Sequence, residues 1–156
     1  MPVLSDDRLK AAQDVLGYKF KDAKLLVRAL THPSAVGGGD PVRESNQRLE
    51  FLGDRVLNLV IAERLMARRK MESEGELAPR LNRLVKKGAC ADAVRHLDLH
   101  EFVLLSDGEE AAGGRTREST LGDACEAIIG AIFKDGGLSP ARQFIEKAWA
   151  PQFAST

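Results

Sequence analysis

Four carboxylates stand where carboxylates are costly. Glu50 and Asp54 lie four positions apart inside one apolar run, and Asp123 and Glu126 lie three apart inside another. On a helix, residues four apart differ by about 40° in direction and by about 6 Å along the axis. Each pair therefore shares a face. An ionised carboxylate taken out of water without a partner costs several kcal/mol, so something must offset all four. The plain alternative is a solvated edge or ordinary ion pairs: Arg55 and Asn58 are near Asp54 in sequence, and Arg48 is near Glu50. The second run offers almost nothing, because no Lys, Arg or His occurs between Leu121 and Ile132.

Carboxylate oxygens without neighbouring His or Cys select a hard cation, Mg²⁺ or Mn²⁺, over zinc. The lack of a Glu-x-x-His partner also argues against a di-iron bundle site. A hard cation that keeps several waters suits phosphoryl chemistry: it binds a phosphodiester oxygen, activates water for in-line attack and stabilises the leaving oxygen. This chemistry alone leaves RNA, DNA and free nucleotides open as substrates. His96 and His100 are four apart but stand without further ligands. No nucleophile–His–acid motif and no phosphate-binding glycine loop of the P-loop type occurs. Cys90 and Cys125 are too far apart for a Cys-x-x-Cys site and read as two reduced thiols.

The elements that must position the acids are helices. Ser5 caps a helix to Val15 that Gly17 ends, and Asp22 caps a second that stops at His32-Pro33. Gly37 to Pro41 reads as a loop. From about Asn46 to about Lys70, Leu49, Leu52, Val56, Leu59, Val60 and Leu65 form a stripe. Phe51, Leu57, Ile61 and Met66 widen it until the helix is apolar nearly all round, which predicts a buried central helix. Glu74–Gly88 and Ala89–Leu97 are further helices. Ser106–Arg117, with its three glycines, is expected to be a mobile loop. Glu118–Lys134 is a second apolar helix, and Ser139-Pro140 is expected to cap and start the last one. Strand signals are nearly absent. The expected fold is all-α, a single domain over 1–156 with its core at about 5–150.

With 44% hydrophobic and 29% charged residues the 156-residue chain can bury a real core. Lys plus Arg and Asp plus Glu both total 23, so any nucleic-acid binding must come from local patches rather than bulk charge. Arg68-Arg69-Lys70 and Lys86-Lys87 are basic clusters that read as solvated faces. Residues 1–10 lack the apolar run of a signal peptide, and no stretch suits a membrane span. A cytoplasmic protein without a membrane partner is expected.

Gln47-Arg48-Leu49-Glu50-Phe51-Leu52-Gly53-Asp54 resembles the signature of the ribonuclease III family. Leu30 to Ser34, Glu74 to Leu77, Gly113 to Ser119 and Asp123 to Ala131 are similar to the segments around it, in the same order, over roughly residues 5–150. The resemblance implies an all-helical, Mg²⁺-dependent endonuclease domain, with Mn²⁺ able to substitute. It would work as a homodimer on double-stranded RNA in RNA processing, leaving 5′-phosphate and 3′-hydroxyl ends. It implies that Glu50, Asp123 and Glu126 hold the metal, and that Asp54 and Glu126 are catalytic. Glu74 would be contributed to a partner's site, and Phe51 would be a dimer contact, with core packing as its plain alternative. Gln47 stands where many members have an acid, so it would hydrogen-bond to RNA or across the dimer. Arg115 and Arg117 are candidates for backbone phosphates. The double-stranded RNA-binding domain usual in bacterial members is not expected within this chain. Two other functions fit less well: an all-helical nucleoside triphosphate pyrophosphohydrolase, and a non-catalytic dimeric RNA-binding module.

Overall fold

A computed structural model describes residues 2–156. In chain order the helices are α1 (Asp6–Leu16), α2 (Ala23–Leu30), α3 (Pro41–Glu44), α4 (Gln47–Arg68), α5 (Glu74–Val85), α6 (Lys87–His96), α7 (Asp107–Ala111), α8 (Glu118–Gly136), α9 (Leu138–Ala148) and α10 (Ala150–Ala154). Among the described residues there is no strand, only one bridge, between Thr31 and Leu104. The fold is all-α.

Local chemistry sets several of the helix ends. The hydroxyl of Ser5 accepts from the Arg8 amide and starts α1; Gly17, at φ 71, takes the left-handed conformation that ends it. Asp22 caps α2 through the Lys24 amide. Ser73 and Glu76 form a reciprocal capping box on α5.

Helix α8 is the axis of the domain. Every residue from Ala124 to Ile132 is buried, and α2, α4, α6 and α9 pack around it. The α4–α8 crossing is unusually close because glycines face backbone. A Cβ at Gly53 would fall 1.6 Å from the Glu126 carbonyl oxygen, and one at Gly130 would fall 2.3 Å from the Leu49 carbonyl oxygen. Helices approach this closely only where side chains are missing. Trp149 is fully buried and donates its indole N–H to the Leu84 carbonyl at 2.8 Å, tying the end of α9 to the end of α5.

Three sequence expectations are corrected. Helix α4 is central but not buried all round: Phe51 (64%), Leu59 (58%) and Met66 (66%) face outward. Apolar periodicity reports a face that avoids water, and part of that face has no cover within one chain. Residues 106–117 are not an unstructured loop but contain α7 and a 3₁₀ turn at Gly114–Thr116. Ser106 caps α7, and the Arg115 guanidinium donates to the carbonyls of His100 and Val103 at 2.8 Å each. Such long-range anchors outweigh the local flexibility of glycine. The Gly37–Pro41 loop is a loop as expected over its first four residues, and Asp40 caps the short α3 that begins at Pro41. Ser139-Pro140 does not start α9: Leu138 does, after Gly137, and no side chain caps it.

Candidate functional site

The glycine crossing decides where the acids go. Gly53 lies between Glu50 and Asp54, and it meets the carbonyl of Glu126 itself. Packing α4 on α8 at that point brings the acidic faces of both helices together at one edge of the crossing. Carboxylate oxygens of Glu50, Asp123 and Glu126 lie within 4.8 Å of one another. Glu126 is the most enclosed, its side chain only 4% exposed, while Glu50 and Asp123 are partly open. Asp54 lines the same cavity, of about 360 Å³, with Gln47, Glu50, Phe51, Arg55, Lys87 and Glu126. Its own carboxylate turns toward Arg55 Nη1 at 3.2 Å and Asn58 Nδ2 at 3.4 Å. The structure thus brings three of the four acids into one cluster and sets Asp54 beside it.

Lys87, at the start of α6, reaches into the cluster. Its ammonium lies 2.5 Å from Glu126 Oε1, 2.7 Å from Asp123 Oδ1 and 3.3 Å from Glu50 Oε1. The sequence placed Lys87 on a solvated basic face; it is instead the internal base of the acidic cluster. The scarcity of bases on α8 is made good from a third helix. No local signal marks Lys87: the sequence reading puts it in the last turn of a Glu74–Gly88 helix, where a lysine is favourable, whereas the structure starts α6 there.

Burial first, and charge crowding after it, set the protonation of the site. Burial pushes the Glu126 carboxyl up to about 7, with Lys87 opposing the rise and Asp54 adding to it. Burial also raises Glu50, with Asp123 adding to the shift and Lys87 opposing it. For Lys87, burial works against the charge, but hydrogen bonds to Asp123 and Glu126 outweigh it and hold the ammonium above its ordinary range. Lys87 and three carboxylates leave surplus negative charge in an all-oxygen donor set. That set fits a hard divalent cation, and the ammonium already occupies the place of a cation among the same oxygens.

The remaining candidates lie elsewhere. Gln47 and Phe51 border the cavity, and the Arg55 guanidinium stacks 3.9 Å above the Phe51 ring. Glu74 is exposed at the start of α5 and lines a separate apolar groove with Ala62, Leu65, Met66, Leu77, Ala78 and Leu81. Arg115 is held by Glu110 as well as by its two carbonyls, while Arg117 pairs with Glu109 and stays more open to solvent. His96 and His100 join no group of metal-ligating side chains found among the described residues. Cys90 and Cys125 are buried free thiols. Among the described residues no helix is long and apolar enough to cross a membrane.

The family described as Ribonuclease-III-like matches residues 22–153. Ribonuclease 3 of Jannaschia sp. (strain CCS1) is 50% identical over 147 residues, 94% of this chain and 63% of that protein. Ribonuclease 3 of Phenylobacterium zucineum (strain HLK1) is 50% identical over 139 residues, 89% of this chain and 58% of that protein. The chain therefore spans less than two thirds of the length of these relatives. The nuclease domain of ribonuclease III from Campylobacter jejuni, a structure that bears on a region involved in its dimer formation, superposes with a TM-score of 0.83 at 39% identity. That match covers 91% of this chain and 99% of the other. Dicer from Pichia stipitis, at 21% identity and a TM-score of 0.60, shares the fold.

Proposed function

Because this chain belongs to the ribonuclease-III-like family, we propose that it is an endoribonuclease domain hydrolysing double-stranded RNA at the α4–α8 acidic cluster. The observation that carries the proposal is the convergence of Glu50, Asp123 and Glu126 within 4.8 Å beside an open cavity. These three carboxylates hold Mg²⁺, or Mn²⁺ in its place. A bound cation of this kind supplies a Lewis acid for the scissile phosphate and lowers the pKa of the attacking water. Asp54, at the rim, orients water toward the phosphorus and shares the catalytic role with Glu126. Gln47, an amide on the same cavity, hydrogen-bonds to RNA or across the dimer.

The exposed stripe of Phe51, Leu59 and Met66 is the surface for a second copy. In the homodimer Phe51 is a contact, and Glu74 of each protomer serves the site of the other. Two such sites facing one duplex cut both strands and leave 5′-phosphate and 3′-hydroxyl ends. Arg115 and Arg117 meet backbone phosphates, and Arg115 also braces the segment that carries both. The proposed domain spans 1–156 with its core at about 5–150. Its proposed setting is the cytoplasm, in the processing of ribosomal and messenger RNA precursors.

The test is cleavage of an end-labelled RNA hairpin in Mg²⁺ by the unaltered chain and by Glu126→Gln. The substitution should slow cleavage by about a hundredfold or more, since even groups that only orient metal ligands cost 10–100-fold. Equal rates would overturn the site assignment. Hydrolysis of free nucleoside triphosphates without hairpin cleavage, or hairpin binding without cleavage, would overturn the function.

A further inference from the structure

We propose that Lys87 is a resident counter-cation: it holds the three carboxylates together in the metal-free chain and must be displaced before a divalent cation can bind. The proposal rests on the metal-binding reading of the same cluster.

Geometry supplies the first support. An ammonium has three N–H donors and no acceptor. Here one nitrogen lies 2.5, 2.7 and 3.3 Å from three carboxylates that come from two different helices. That is the arrangement of a small cation among its ligands. Without it, Glu126 would be an enclosed carboxylate beside two others, a situation that strongly destabilises a fold.

The second support is where Lys87 sits on its own helix. It is the first residue of α6, and the preceding Lys86 provides no side-chain cap. A helix N-terminus carries partial positive charge and favours acids, so α6 gains nothing electrostatically from a lysine there. The residue serves the neighbouring carboxylates rather than its own helix.

The third support lies on α8. The Lys87 stem runs over Gly122, where an added Cβ would fall 2.4 Å from Lys87 Cδ and 2.7 Å from Cγ. Glycine at 122 clears a track along which the stem reaches Asp123 and Glu126. Any larger residue would obstruct that path. The stem is flexible and the ammonium is partly exposed, so it can swing out toward solvent without moving α6.

A resident cation makes metal binding a competition. The apparent affinity falls by the fraction of time that the ammonium is out of the cluster. In return, the carboxylates stay assembled while no metal is bound.

The experiment titrates Mn²⁺ into metal-stripped full chain by calorimetry, for the unaltered protein, Lys87→Gln and Lys87→Arg, with thermal melts in chelator alongside. Lys87→Gln should bind Mn²⁺ about tenfold tighter, the gain expected if the ammonium vacates the cluster about one-tenth of the time. It should melt earlier in chelator yet match the unaltered chain when metal is saturating. Lys87→Arg, which keeps a cation, should stay closer to the unaltered affinity. If Lys87→Gln is unfolded in chelator, saturating Mn²⁺ should refold it to the melting point of the unaltered chain in the same metal; failure to refold at any concentration overturns the proposal. Equal or weaker Mn²⁺ affinity in Lys87→Gln overturns the proposal alone. Absence of Mn²⁺ binding by every protein overturns the metal-binding reading as well.

Discussion

Gly53 on α4 meets the backbone carbonyl of Glu126 on α8, leaving no room for even a methyl group between them. This contact sets the crossing of the two most important helices and, with it, the spacing of the carboxylates on either side. Gly53→Ala must therefore push the helices apart. Overpacking a rigid core costs about 1–3 kcal/mol, and a clash with backbone belongs at the upper end. Urea denaturation should show a loss of about 3 kcal/mol, and cleavage should fall further than stability alone explains. A variant as stable and as active as the unaltered chain would show that the crossing tolerates separation.

The raised Glu126 carboxyl gives a pH prediction with a definite sign. Its folded value, about 7, lies above the ordinary value of 4.5. The folded state therefore favours the protonated form. Stability from this group is fully present below about 4.5 and is lost as pH rises through about 7. The loss is on the order of 3 kcal/mol across that window. Melts in chelator should show the unaltered chain weakening from acid to neutral pH, with Glu126→Gln flatter over the same range. Metal reverses the sense, because a proton on Glu126 competes with the cation, so Mg²⁺ affinity should climb through pH 7 and level off above it. An unaltered slope in Glu126→Gln would assign the pH dependence to other groups, Glu50 first among them.

What could be read from the sequence was local. Ser5, Gly17, Asp22 and Ser73 act within a few residues of themselves, and the acid pairs share a face through helix geometry alone. Lys87 could not be read that way: it stands 37 residues from Glu50 and 39 from Glu126, so only tertiary packing reveals the contact. The anchors of Arg115 were hidden for the same reason, since His100 and Val103 belong to a different segment. Gly53 and Gly130 were visible only as letters in a motif. Their mutual approach explains why glycine stands there. Periodicity alone puts Leu59 and Met66 in the core, and only the family resemblance marks Phe51 as a dimer contact, because periodicity cannot tell a face covered by the same chain from one left for another.

Trp149 is a single tryptophan, fully buried, with its N–H on the Leu84 carbonyl. Trp149→Phe removes that donor and leaves a void between α5 and α9. The combined cost should be about 2–4 kcal/mol. Intrinsic fluorescence of the unaltered chain should follow global unfolding, coinciding with circular dichroism. A fluorescence transition that precedes loss of helix would show the α9 end detaching on its own.

The uncovered stripe on α4 makes the last prediction. Phe51, Leu59 and Met66 are each more than half exposed. They follow one helical face, and an apolar groove formed by α4 and α5 opens beside them. Three large apolar residues in line are costly in water, and each gains about 1.5–3 kcal/mol when fully covered. Sedimentation of the unaltered chain should show a dimer, and Met66→Asp should shift it to monomer by placing a charge in the covered face. The carboxylate cluster lies within one chain, so on the proposed function the monomeric variant should still bind Mn²⁺. It should lose paired cuts on a hairpin, because those need two sites on one duplex. An unaltered chain that sediments as a monomer at micromolar concentration would remove the partner role from Glu74 and Phe51 together. The cluster of Glu50, Asp123 and Glu126 would stand unaffected.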